Sequence, residues 1–574
     1  MPQRYTALEL LLAGVEGYER WLTSSGQLVD PVFGEPTQYS TPYYAFCNAA
    51  LARLVPHRRR ELAHRALLGL KASLEHVASP GEAPHPSAFS RETGSLVRTN
   101  HRDFFWPPIL RTYLLLGELG ALPSQEIAQV ITRVDPEACF RSRPPSNWAA
   151  VWLSGEWLRM RAGLSPTSLE RFDAWLSEFF AGRVLPELGF YQEPGHPNSY
   201  DLFTRYHLLE LLLEGYKGRW ETELEQLLER GLERSLAVQL SDGSLASAHR
   251  STGQTWTVAA QVAYFVGAAQ WLRRRGESER AETAWQHARL ALASLARWMR
   301  ADGTLSPVEN CLPPAWRVGY EPYTADAHYG SLALAMLASA VLRGFDETPL
   351  GDVPDRAPRS RVEGLPVLRG VLHAHGYSLH LNAWPARGYD AFGIVDLTFG
   401  PGRYLQFASS VRHLGSGALY NLGMARRREP GRAELQVMAQ ADLLSSGPRH
   451  DGQDALVVEA WPRGEPYRYV LWARLTPEGA WCRESTPGQV DHKTLLVPYV
   501  REAGTGISTE VEVSEGLLRL RHGREEVAIA YQLPVESVTH LPYGFENRRG
   551  LCGLVRVDFA GPREEISYRV MRIR

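Results

Sequence analysis

Asp302-Gly-Thr-Leu-Ser-Pro, set beside Asp242-Gly-Ser-Leu-Ala-Ser and Gly26-Gln-Leu-Val-Asp-Pro, is the stretch that decides the fold. Each of the three follows a segment with apolar residues at helical spacing and leads toward a second segment opened by aromatic and polar residues. Six such pairs fill residues 1–343. The second segments open at Thr41-Pro-Tyr-Tyr-Ala-Phe, Asn100-His-Arg-Asp-Phe-Phe-Trp, Ser146-Asn-Trp-Ala-Ala-Val-Trp, Asn198-Ser-Tyr-Asp-Leu-Phe, Gly253-Gln-Thr-Trp and Tyr323-Thr-Ala-Asp-Ala-His-Tyr. A repeat of tens of residues marks an array of like units, each unable to bury its apolar face alone. Twelve helices in six hairpins can close into a ring.

The two helices of each pair differ in character. The first set spans Leu8 to Trp21, Arg60 to Leu74, Gln125 to Val134, Leu169 to Phe180, Trp220 to Leu240 and Ala281 to Met299, and carries many Arg and Glu. The alternate set spans Tyr43 to Leu54, Asp103 to Leu119, Trp148 to Arg161, Tyr200 to Leu213, Thr255 to Leu272 and Ala325 to Leu342. These are apolar nearly all round, as in Leu332-Ala-Leu-Ala-Met-Leu-Ala-Ser-Ala-Val-Leu. A helix without a polar face has to be buried. The alternation therefore predicts an inner ring of six dry helices inside an outer ring of six wet ones, an (α/α)6 toroid.

The texture changes after Arg343. Residues 344–366 are rich in Pro, Gly and charge and read as a linker or wrap-around arm. From 367 to 574 short alternating segments dominate, such as Arg468-Tyr-Val-Leu-Trp-Ala-Arg and Glu526-Val-Ala-Ile-Ala-Tyr-Gln, with turn residues between them. The expectation is a two-domain α+β chain whose second part is an antiparallel β-sandwich.

Sixty-two Lys and Arg against 64 Asp and Glu leave a net charge of -2, which gives no basic face for nucleic acid. The five cysteines are far apart and odd in number, so neither a disulfide framework nor a cysteine zinc site is expected. Glutamates interrupt the apolar residues near the N-terminus, unlike a secretory signal, and no run approaches a membrane span. A soluble, cytoplasmic protein with no membrane partner is the expectation.

A closed ring gathers the six inner-helix N-termini at one end, where unsatisfied N–H groups and the positive dipole ends favour anions. Basic residues cluster at those openings: His101 and Arg102, then Arg205, then His249 and Arg250. An acidic oligosaccharide or polysaccharide is the ligand this suggests. Asn147 and Trp148 open the third inner helix; the Asn reads as an N-cap or as a hydrogen-bond donor to a substrate carboxylate, and the Trp as a stacking surface. The loop Gly189-Phe-Tyr-Gln-Glu-Pro-Gly-His-Pro-Asn-Ser-Tyr-Asp carries His196, Tyr200 and Asp201 into the fourth. Asp201 and Arg205 stand four apart, the spacing of a helix-stabilising ion pair.

Asn147-Trp148, Phe190-Tyr191-Gln192 and a helix start bearing Tyr200, within a helical ring followed by a β domain, resemble the toroid-plus-β-sandwich polysaccharide lyases. That superfamily holds the hyaluronate, chondroitin, heparin and alginate lyases. The resemblance implies that Asn147 binds a uronate carboxylate, that Tyr200 is the catalytic tyrosine, and that cleavage is a β-elimination without cofactor or metal. Two departures stand out. Glu193 occupies the position of the family's catalytic His, and no Gly precedes Tyr200. His196 would then supply the imidazole, or His101 would, because Asn100-His101 resembles the Asn-His pair of alginate-type relatives.

A glycoside hydrolase on the same ring is the alternative. It needs two carboxylates, for which Asp103, Glu193, Asp201 and Asp326 are the candidates. A carbohydrate-binding protein without catalysis is the third reading, favoured by Glu193.

Overall fold

The computed structural model describes residues 5–78, 101–122, 125–193, 198–345, 359–364, 367–385, 391–399, 405–407, 420–427, 435–452 and 455–573, with the backbone of two short strands, Pro86–Ser90 and Ser95–Arg98. The helical part runs α1 (Ala7–Glu19), α2 (Ser40–Leu54), α3 (Arg59–Ala78), α4 (Arg102–Glu118), α5 (Gln125–Arg133), α6 (Pro136–Cys139) and α7 (Asn147–Arg161). It continues with α8 (Leu169–Gly182), α9 (Asn198–Leu213), α10 (Glu221–Val238), α11 (Thr255–Arg274), α12 (Ser278–Ala296) and α13 (Asp326–Leu342).

Helices α2, α4, α7, α9, α11 and α13 pack each on the next, and α13 returns to α2, so the inner ring is closed. Its members are dry, as their sequences require: in α13 every residue from Asp326 to Val341 is buried. The outer helices bury one face only; in α8 that face is Phe172, Trp175, Leu176 and Phe179. The expected (α/α)6 toroid is the fold of this half.

The three related connectors are one device used three times. Gly26, Gly243 and Gly303 have φ of 85°, 85° and 84°, and each turn is pinned by a bridge: Leu22 with Leu28, Gln239 with Leu245, Met299 with Leu305. Positive φ there favours glycine. The turns also press on the neighbouring outer helix. A Cβ on Gly17 of α1 would stand 2.3 Å from the carbonyl carbon of Gly303, so the last connector closes directly on the first helix.

The second part is all antiparallel. One sheet has eight strands, from Leu443–His450 at one edge to Thr509–Ser514 at the other. Two smaller sheets of four and five strands share a core with it through Leu372, Leu456, Leu471, Val497, Val557 and Ile566. Strand Tyr469–Thr476 shows why, alternating buried with less buried positions along its length. This is the expected β-sandwich.

One boundary is corrected. Arg359–Glu363, inside the stretch read as a linker, is the first strand of the four-stranded sheet and pairs with Arg369–Ala374. Its charge disguised it. Glu363 is buried because Arg234 of α10 donates to both its oxygens, at 2.6 and 2.9 Å. The sandwich also meets the loops that feed the fifth and sixth inner helices: the Ser241 N–H donates to Ser378 Oγ at 2.8 Å, Gln406 to Asp242 at 2.7 Å, and the Cys311 N–H to the Ala503 carbonyl at 2.7 Å. It therefore covers the ring on the side of the helix openings. Among the described residues no helix is long and apolar enough to cross a membrane.

Candidate active site

The inner-helix N-termini surround a cavity of about 270 Å³ to which all six openings contribute. Gln38 and Tyr39 come from the first, His101 and Phe104 from the second, and Trp148 from the third. Tyr200 and Phe203 come from the fourth, Arg250 and Trp256 from the fifth, Tyr323 and Tyr329 from the sixth. The walls are rings locked against one another. Tyr39 stacks on Phe104 at 4.6 Å, His101 lies 4.8 Å from Trp148, and Tyr200 meets the edge of Trp256 at 5.7 Å. Such walls offer flat apolar faces fringed by hydroxyl and N–H groups.

Tyr200 is the polar centre. Its hydroxyl is 3.0 Å from Ser251 Oγ, which is also 3.0 Å from the hydroxyl of Tyr323. The Arg250 guanidinium lies 4.4 Å over the Tyr200 ring. Enclosure pushes the Tyr200 hydroxyl above its ordinary pKa, Arg250 draws it back, and Glu321 pushes it up again. The balance is upward, so Tyr200 is protonated and able to donate.

The loop that supplies Arg250 is strained. His249 and Ser251, on either side of it, have φ of 74° and 61°, in the left-handed region that non-glycine residues avoid. The Ser251 N–H donates to Glu321 Oε1 at 2.5 Å, which holds the turn in this shape. Strain of this kind persists only where the surroundings over-determine it.

His101 stands at the position just before α4 and borders the cavity. Burial, helped by the charge of Arg141, drives its pKa down to about 3, so the imidazole is neutral. Beside the cavity, Glu193 gathers three donors. Asn147 Nδ2 and Arg250 Nη2 reach its Oε1 at 3.0 and 2.8 Å, and the Tyr191 hydroxyl reaches Oε2 at 2.9 Å. Among the described residues, no carboxylate lines the cavity itself, and Arg250 is its one formal cation.

In fold, the chain is similar to two lyases. The chondroitin AC lyase of Streptomyces coelicolor A3, solved in complex with chondroitin sulphate, superposes with a TM-score of 0.50 at 11% identity over 99% of this chain and 79% of that one. The xanthan lyase of Paenibacillus superposes with a TM-score of 0.50 at 10% identity, over 99% of this chain and 57% of that one. No family model matches the sequence, and no curated protein is detectably similar to it. At such identities the shared property is the toroid followed by the sandwich.

Of the residues singled out in the sequence, His101, Trp148, Tyr200 and Arg250 line the cavity together. Asn147 stands beside it through Glu193, and the N-cap reading of Asn147 is corrected: Ser146 is the cap, its hydroxyl accepting from the Ala149 N–H at 3.1 Å. His196 lies outside the described residues. Four others do not face the cavity. Arg205 is buried against Asp201, the Gly231 carbonyl, Tyr264 and Ser235, and Arg234 completes that cluster from α10. Asp326 is buried with Arg300 and Tyr320 as partners, so it supports the ring and faces no ligand. Arg102 is buried with its charge acting on Cys139, and His249 shapes the turn before Arg250. Sequence reasoning missed Gln38, Tyr39 and Ser251. The signal was available only for Tyr39, an aromatic next to the first opening.

Proposed function

We propose that the protein cleaves a uronic-acid-containing polysaccharide by β-elimination in this cavity. The observation that carries the reading is the setting of Tyr200: a protonated hydroxyl bridged to Ser251, a guanidinium over its ring, and a neutral His101 in the same lining, which among the described residues holds no carboxylate. The shared fold with a chondroitin AC lyase and a xanthan lyase is in keeping with it.

In such a step a base takes the proton from C5 of the uronosyl residue. The C–H electron pair becomes the C4=C5 double bond, the C4–O bond breaks, and the leaving oxygen takes a proton from an acid. Tyr200, held protonated, suits the donor, and His101 is the unprotonated imidazole in the same lining. Ser251 links Tyr200 to Tyr323 and gives the tyrosine hydroxyl a fixed direction. Arg250 stabilises the negative charge that develops as the proton leaves.

The hydrolase alternative needs two carboxylates facing the reacting bond. Asp201 and Asp326 are spent in buried ion pairs, and both oxygens of Asp103 accept from the backbone N–H groups of Arg141 and Ser142. Of the four candidates Glu193 alone is near the cavity, and the other carboxylate beside it, Glu321, is taken up by the Ser251 N–H, which weighs against a pair.

The test is the ultraviolet absorbance of the unsaturated product, followed with a panel of uronate-containing polymers. Product is expected with the unmutated protein, and Tyr200→Phe is expected to lower its rate by about 100-fold, the typical contribution of a positioned acid. Absence of product across the panel, with binding retained, would establish a carbohydrate-binding protein instead.

A further inference from the structure

Among the described residues, the cavity lining holds one cation to set against a carboxylate, and that cation is already paired. Arg250 is the only formal cation in the described lining, and its Nη2 already donates to Glu193 at 2.8 Å. Asn147 Nδ2, the other donor suited to a carboxylate, is committed to the same glutamate oxygen at 3.0 Å. Glu193 is itself buried and its second oxygen accepts from Tyr191. His101 is neutral because burial holds its pKa down to about 3. Arg250 and Glu193 cancel, and the rest of the described lining is aromatic or uncharged.

A carboxylate entering this enclosure would be a buried charge without a counter-ion, which is among the most costly arrangements in a protein. An ester carbonyl would be received differently. A carbonyl without a net charge carries no such penalty.

We infer that the reacting sugar is a uronic acid ester, its carboxyl group uncharged, and that Glu193 is the residue that excludes the free acid. The inference rests on the elimination reading above. The chemistry is balanced without a further reactant. The C5 proton passes to the base, the double bond forms in conjugation with the ester carbonyl, and the leaving oxygen takes its proton from the acid. An ester also acidifies the C5 proton by itself, so no cation is required to neutralise a carboxylate first.

The experiment offers a set of polyuronates to the full chain, each as its methyl ester and after saponification, and reads the absorbance of the unsaturated product. A rate on the esters at least about tenfold above the rate on the free acids is expected, the scale of a buried group left unpaired. Glu193→Gln, which keeps shape and removes charge, is expected to shrink that preference by about tenfold. Faster cleavage of the free acids by the unmutated protein, or an unchanged preference in a folded Glu193→Gln variant, would overturn the ester inference and leave elimination standing. No product from either form of any polymer would overturn elimination and the inference together.

Discussion

The guanidinium of Arg250 lies 4.4 Å over the ring of Tyr200, and the backbone on both sides of Arg250 is left-handed. The strained turn thus fixes a cation against a tyrosine whose hydroxyl belongs to the polar side of the cavity. A cation over an aromatic face is worth about 0.5–2 kcal/mol and here also acts on the titration of the ring's own hydroxyl.

Arg250→Ala removes the charge that draws the Tyr200 pKa down against the effect of burial. An acid loses activity as pH rises through its own pKa. The variant is therefore expected to show its alkaline limb at higher pH than the unmutated protein, with kcat lower by roughly tenfold or more because charge stabilisation is lost. A kcat profile against pH measures both, and an alkaline limb at lower pH would contradict the account.

Ser251 couples backbone strain to the bridge between two tyrosines. Ser251→Gly relieves a left-handed position but deletes the hydroxyl, whereas Ser251→Ala keeps the strain and deletes it too. Both are expected to lower kcat. In thermal unfolding the Gly variant should be the more stable of the two by about 1 kcal/mol, the usual cost of a left-handed non-glycine residue.

His207, on α9, is buried with its Nδ1 3.0 Å from Ser154 Oγ, and burial drives its pKa down to about 3. The folded state therefore binds fewer protons than the unfolded state between about pH 3 and pH 6.5. Its contribution to stability is present above pH 6.5 and is lost as pH falls through that window. His207→Gln removes the titration. The Tm difference between the unmutated protein and the variant should shift in favour of the variant as pH is lowered from 7 to 4.

Gly17→Ala would raise intrinsic helix propensity in α1 by about 1 kcal/mol. The added methyl would stand 2.3 Å from the Gly303 backbone, which the ring cannot easily give. Net destabilisation of about 1–3 kcal/mol is expected from the overpacking. Denaturant unfolding checks it, and a stabilised variant would mean that α1 does not close the ring.

The helices and the ring were legible because burial on all sides leaves an unmistakable sequence, as in Leu332 to Leu342. Four site residues were legible for a related reason: an aromatic or basic residue at a helix opening has the cavity as its nearest enclosure. The same reasoning failed for Arg205 and Asp326. A charge at an opening looks alike whether its partner is a ligand or the protein: Arg205 pairs with Asp201 one turn before it, the ion pair that its spacing also suggested, and Asp326 pairs with Arg300 from the preceding connector. Ser251 was illegible, since its role comes from a left-handed backbone that serine does not announce. Arg359–Glu363 was hidden by an edge strand's charge, satisfied only once Arg234 is in place.

The Tyr18 hydroxyl of α1 lies 3.1 Å from the carbonyls of Leu305 and Asp326, 287 and 308 residues further along the chain. During synthesis the first helix therefore leaves the ribosome long before the groups that will cover it exist. Its apolar face must wait, exposed or chaperoned, while five further hairpins are made. Closure is the late, non-local event of folding, and such contacts are slow to form. A translation pause or truncation before α13 would release a ring that is open at its seam and prone to associate through it.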